Sequence, residues 1–291
     1  MSQIVIQHYA RPAARRHLWV GLVMASIAVA FGIEQIAFWL SAHPMAAKGL
    51  EASLFAGLAT GLGAIPVLFL RRPSERLMAP MLGLAGGMML AASLFSLLVP
   101  AVQSVAASPA AWPLGVITAL AFVAGVALMQ QMDRHTRHAH VESIDSNSVL
   151  PRVGLVVAAI ALHNVPEGLA VGVSAAAGAD HGMTLGIAIQ NVPEGWIVAS
   201  AMLVLGATPL RAAAIALATG LVEPLGGLLG VIASSLAGEA LPLALAAAAG
   251  AMLWVVSHEL IPASHKPGRE AAGTAGLAAG FAIMTVLAAA F

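Results

Sequence analysis

The sequence predicts an all-α protein: a polytopic membrane helix bundle of about nine transmembrane helices. Three observations carry this expectation. Of the 291 residues, 60% are hydrophobic and 9% charged, a balance outside the range of soluble domains. Apolar runs long enough to cross about 30 Å of hydrocarbon recur from near the N-terminus to the last residue. These runs are continuous rather than alternating and are rich in Gly and Ala, which suits close-packed helices and not the strands of a barrel. Residues 1–291 therefore read as a single integral membrane domain, whose expected partners are the lipid bilayer and a small solute rather than nucleic acid.

The first span, Leu18 to Leu40, follows Arg11, Arg15 and Arg16. Its apolar run is too long for a signal-peptide core and lacks a clear cleavage site, so it is read as a retained helix. Spans two to four are expected at Ala52 to Leu70, Met78 to Val102 and Trp112 to Met132. The polar string DRHTRHAHVESIDSNS then opens a segment from Asp133 to Arg152 that is expected to be a mobile cytoplasmic loop. Its His135, His138 and His140 either bind metal transiently or are merely solvated. Spans five to nine follow at Val153 to Ala177, Met183 to Leu205, Leu210 to Leu236, Leu241 to Ala263 and Ala271 to Phe291.

Placing the N-terminus in the cytoplasm puts twelve of the thirteen basic residues on the cytoplasmic side and leaves only Lys48 outside. That bias follows the positive-inside rule and implies an extracytoplasmic C-terminus in the cell (inner) membrane. No cysteine is present, so a metal site must use N, O or thioether ligands.

The chain repeats itself in two ways. HNVPEG (His163 to Gly168) and QNVPEG (Gln190 to Gly195) share five of six positions, each inside a span. LATGLGAIP from Leu58 pairs with LATGLVEP from Leu217, and GMML from Gly87 with GAML from Gly250, the latter two running on to Pro100 and Pro262. In the expected topology the paired spans enter the membrane from opposite sides, the inverted-repeat pattern of secondary transporters with midplane substrate sites.

A carboxylate within a membrane helix costs at least a few kcal/mol unless paired, protonated or bound to a cation. Glu167, Glu194, Glu223 and Glu259 all fall within expected spans with no Lys or Arg at similar depth. His163 and Glu167 stand one helical turn apart on one face, and Gln190 and Glu194 repeat the arrangement. Asn164 and Asn191 lie about 100° round the helix, widening the polar face enough to serve a second ion. Pro166 and Pro193 free the carbonyls of Leu162 and Ile189, which is tolerated in a bilayer where the break faces protein, water or an ion. Imidazole, carboxylate and amide ligands suit Zn²⁺ and also admit Cd²⁺, Fe²⁺ or Mn²⁺. His258, Glu259 and His265 form either a path toward the cytoplasm or a helix-end polar cluster.

At these residues the chain resembles the ZIP (Zrt-, Irt-like protein) family of metal transporters, in its bacterial branch, over nearly its whole length. The family has eight shared helices, so the resemblance makes Leu18 to Leu40 an added N-terminal helix. It implies a binuclear centre: one ion at His163, Glu167, Gln190, Glu194 and Met89, a second near Asn164, Asn191, Glu194 and Glu223, with shared glutamates bridging. It places His258 and Glu259 along the cytoplasmic exit. Some relatives carry Asp where Asn191 stands, so the second ion meets one negative charge fewer here. A homodimer and an elevator-like motion of the central helices are also implied.

The expected activity is uptake of a divalent metal ion, most simply Zn²⁺, and not catalysis. An intramembrane metalloenzyme is the alternative, since a His and a Glu one turn apart can hold a catalytic zinc. The sequence disfavours it: HELIPASH from His258 has its histidines seven apart, so there is no HExxH, and no Glu-x-x-His pair appears. A purely structural or receptor-like metal protein would bind metal without flux.

Overall fold

The structure, a computed structural model, describes residues 24, 31, 34, 35, 37–69, 75–144, 149–176, 178, 180–235 and 240–290. Most of the expected first span lies outside the described residues. The chain divides into two units, Met1–Ala47 and Lys48–Phe291. In the first, the Trp39 and His43 rings stack at 4.3 Å. The second carries the helix bundle and every expected site residue.

The described residues are helical throughout apart from short connections, and none is in a strand. The helices are α1 (Pro44–Ala64), α2 (Glu75–Ala91), α3 (Val99–Ala106), α4 (Ala111–Ile144), α5 (Val149–Ala176), α6 (Asp180–Val204), α7 (Pro209–Gly220), α8 (Glu223–Ser235), α9 (Ala240–Val255), α10 (Ile261–Ser264) and α11 (Glu270–Ala290). Among the described residues, seven helical stretches are long and apolar enough to cross a membrane. They correspond to expected spans two, three, four, six, seven, eight and nine. The fifth corresponds to α5, whose 28 residues also have the length to cross.

Two expectations change. Residues 133–152 are not a loop throughout: α4 continues to Ile144 and α5 begins at Val149. Arg, Ala, Val, Glu and His extend a helix once it has been nucleated by the apolar run before them, whereas the Asp-Ser-Asn-Ser after Ile144 is made of poor helix formers. Residues 145–148, and the side chains of His135, His138 and His140, lie outside the described residues. The seventh span is not one helix either. It breaks at Leu221 and Val222, because Pro224 has no N–H to offer the Gly220 carbonyl and its ring would clash there. Glu223 thereby becomes the first residue of α8.

Two other prolines act more gently. A π-helical turn, Ala92–Leu98, joins α2 to α3, and another, Val256–Leu260, joins α9 to α10. The Val99 N–H reaches back to Leu94 and the Ile261 N–H to Val256, each skipping one residue more than an α-helix does. Pro100 and Pro262 each stand two residues beyond the end of these turns. The two stretches matched in sequence from GMML and GAML thus share the same departure from α geometry.

Glycines set the packing. On α2, Gly83 and Gly87 lie against the Gly273 and Leu277 carbonyls of α11, while Gly276 and Gly280 lie against Pro80 and Leu84 in return. The α5–α8 pair repeats this reciprocity, Gly168 and Gly172 meeting Glu223 and Gly227, and Gly226 and Gly230 meeting Val165 and Leu169. A Cβ at these positions would collide with backbone, so the small residue fixes the helix separation. The core, which includes Met88, Met89, Leu97, Ile187, Met252 and Met284, fills the space these close pairs enclose.

Candidate metal site

Both hexapeptides lie inside helices, with Pro166 within α5 and Pro193 within α6. Their final glycines position the site. A side chain at Gly168 would strike the Glu223 carbonyl, and one at Gly195 would strike the Thr60 carbonyl. The start of α8 and the body of α1 can therefore lie directly against the polar faces of α5 and α6. Asn164, Glu167, Gln190, Asn191 and Glu223 are consequently all buried.

The amides tie this cluster together. Gln190 Nε2 donates to Glu167 Oε1 at 2.5 Å, joining the two motif helices. Asn191 Nδ2 donates to Glu223 Oε1 at 2.5 Å and to the Ala56 carbonyl at 2.8 Å. Asn164 Nδ2 donates to the Thr219 carbonyl at 2.9 Å, just before the α7–α8 break. Each of these amide nitrogens has a partner, and the amide and carboxylate atoms left without one are oxygens. Asn164 Oδ1, Glu167 Oε2, Gln190 Oε1, Asn191 Oδ1 and Glu223 Oε2 are buried with no hydrogen-bond partner in the protein. Glu167 is within electrostatic reach of both Glu194 and Glu223, Glu194 also acts on Glu223, and His163 acts on Glu194. Three interacting carboxylates and orphaned amide oxygens form an environment that a hard or borderline cation fits.

A cavity of about 180 Å³ opens beside this cluster, lined by Met89, His163, Glu167, Glu194 and Glu259 among others. Met89 is buried and forms part of the wall. Among the described residues, no three His, Asp or Glu side chains are gathered closely enough to hold an ion by themselves. The nearest arrangement pairs His163 Nε2 with Glu259 Oε1 at 3.3 Å. Sequence spacing gives no sign of the His163–Glu259 contact. The π-helical turn at Val256–Leu260 carries Glu259 there, while His258 points elsewhere.

His258 stacks on Trp254 at 4.6 Å and places Nε2 3.7 Å from Asp133 Oδ2. Asp133, read from sequence only as the start of the polar segment, therefore joins the residues around the candidate exit. His265 is engaged differently. Its Nδ1 lies 2.9 Å from the Ile261 carbonyl and its Nε2 lies 2.9 Å from Thr274 Oγ1. Nδ1 also lies 2.8 Å from Ser264 Oγ, so both ring nitrogens are engaged within the protein. In this arrangement His265 pins the α10–α11 connection.

The sequence of this chain matches the family described as ZIP zinc transporter over residues 129–288. It is 45% identical over 253 residues to the zinc transporter GufA of Myxococcus xanthus, covering 82% of this chain and 97% of that protein. It is 46% identical over 238 residues to the zinc transporter ZIPB of Bordetella bronchiseptica, covering 79% of this chain and 76% of the relative. The zinc transporter ZupT of Corynebacterium efficiens is 35% identical over 250 residues, covering 80% of this chain and 93% of its own length.

Proposed function

Because the chain belongs to the ZIP zinc transporter family, we propose that it carries Zn²⁺ across the membrane toward the cytoplasm. A transporter family leaves the metalloenzyme alternative without support. The observation that carries this reading is the buried cluster of five unpartnered amide and carboxylate oxygens on α5, α6 and α8. A divalent cation satisfies those oxygens and offsets three carboxylates at once, which no neutral solute does.

In this reading His163, Glu167, Gln190, Glu194 and Met89 hold one ion. Asn164, Asn191, Glu194 and Glu223 hold a second, with the glutamates shared. An ion that takes the place of the amide donors at Glu167 and Glu223 breaks the amide–carboxylate bonds that close the cluster. The ion leaves past Glu259 and His258 into the cytoplasm as α5 and α6 move against the outer helices in an elevator-like motion. Protons compete for the same carboxylates and assist release. The N-terminus is cytoplasmic, the C-terminus extracytoplasmic, and two copies form a homodimer. Cd²⁺, Fe²⁺ and Mn²⁺ share enough ligand chemistry with Zn²⁺ to compete.

Glu194 tests the assignment, since it touches both proposed ions. Glu194→Ala is expected to abolish saturable Zn²⁺ uptake into proteoliposomes while the protein remains folded by circular dichroism. Undiminished uptake by the folded variant would remove the site.

A further inference from the structure

Next to the metal cavity lies a larger one of about 370 Å³, where α2 begins, α6 ends and α10 passes into α11. Leu82 and Ala263 line both cavities. The polar lining of the larger one is Lys266, Arg269 and Ser200, set among apolar walls that include Met78 and Val204. Ser200 is 1% exposed, and its hydroxyl has no hydrogen-bond partner in the protein.

Two cationic side chains and an unused buried hydroxyl repel a metal ion and are wasted on an apolar molecule. They suit an anion. The three groups come from two separate parts of the fold, α6 and the α10–α11 connection. A phosphate presents acceptor oxygens in all directions, whereas a carboxylate offers two in one plane, and Arg in particular matches phosphate with its fork of donors. The cavity also sits at the helix ends, the depth of lipid headgroups, with apolar walls beneath the charges.

We propose that Lys266, Arg269 and Ser200 form a phosphate-binding site, filled by the headgroup of an anionic phospholipid or by free inorganic phosphate. With it filled, the positive potential beside the metal cavity is offset. The binding does not rest on the transport reading, so the two fail separately.

Native mass spectrometry of the purified full-length protein, titrated with phosphatidylglycerol or phosphatidylcholine, tests this. One phosphatidylglycerol should be retained with a preference of about tenfold or more over phosphatidylcholine, as expected for two basic contacts at a headgroup. Lys266→Gln combined with Arg269→Gln should erase the preference. Ser200→Ala, which deletes only an unpaired hydroxyl and so leaves the fold intact, should weaken retention several-fold. Displacement of the lipid by millimolar inorganic phosphate assigns the site to free phosphate as well, and lack of displacement assigns it to the lipid. Equal retention of the two lipids by the unaltered protein overturns the proposal, as does an undiminished preference in the variants.

Discussion

Asn191 serves two acceptors with a single amide nitrogen, the Ala56 carbonyl on α1 and the Glu223 carboxylate on α8. It therefore joins helices from both repeats while its own oxygen stays unpaired. Asn191→Asp removes both donors and sets a second carboxylate against Glu223. Losing hydrogen bonds to a buried carboxylate and carbonyl costs about 1–3 kcal/mol each, and the like charges add to that. A cation reverses the sign, because the new carboxylate is then a ligand. The variant is expected to unfold at a lower temperature than the unaltered protein in chelator and to gain more from added Zn²⁺. A zinc-induced shift in melting temperature no larger than that of the unaltered protein would exclude a metal at this position. The spacing of His163 with Glu167 and Gln190 with Glu194 was legible in the sequence, since helical periodicity alone aligns them. The carbonyl partners of Asn164 and Asn191 were not. They lie on the main chain 55 and 135 residues away and carry no side-chain identity for a sequence to display.

These prolines affect their helices in three different ways. Pro166 and Pro193 stay inside continuous helices, Pro100 and Pro262 come after π-helical turns, and Pro224 accompanies a full break. A missing N–H is readable from sequence, but the response depends on what packs against the freed carbonyl. At the α7–α8 break the Thr219 carbonyl accepts from Asn164 as well as from the Val222 N–H, an outcome only the fold supplies. The length of α4 was hidden for a related reason: a polar composition signals solvent exposure, not loss of helix. Glycine spacing, by contrast, translated directly into helix contacts. Gly168→Ala would drive a Cβ into the Glu223 carbonyl, where neither backbone can yield. Overpacking of this kind costs about 1–3 kcal/mol or more, and it pushes α8 and its glutamate away from α5. A lower unfolding temperature together with reduced Zn²⁺ uptake is expected. Gly178→Ala supplies the comparison, because its Cβ meets nothing and only its positive φ of 78° resists, at about 1–2 kcal/mol. Equal losses in the two variants would show that the α5–α8 contact has no special bearing on the site.

At the scale of the whole molecule, the charge distribution and the apolar exterior determine how the bundle sits in a bilayer. Trp112, Leu120 and Leu128 on α4 and Val286 on α11 are well exposed, as side chains facing lipid must be. Arg76, Arg211, Lys266 and Arg269 gather at the ends of helices on one side, while Lys48 lies near the start of α1 on the other. In the proposed orientation, which follows the positive-inside rule, the first group is cytoplasmic and Lys48 is outside. Since the natural sequence contains no cysteine, a single introduced thiol reports its own location without background. Lys48 and Arg211 are both exposed, so either can be replaced without opening the core. Lys48→Cys is expected to react with a membrane-impermeant maleimide in intact cells. Arg211→Cys should react only after the membrane is permeabilised. The opposite pattern would invert the molecule, and Glu259 would then line the route by which the metal arrives instead of the one by which it leaves.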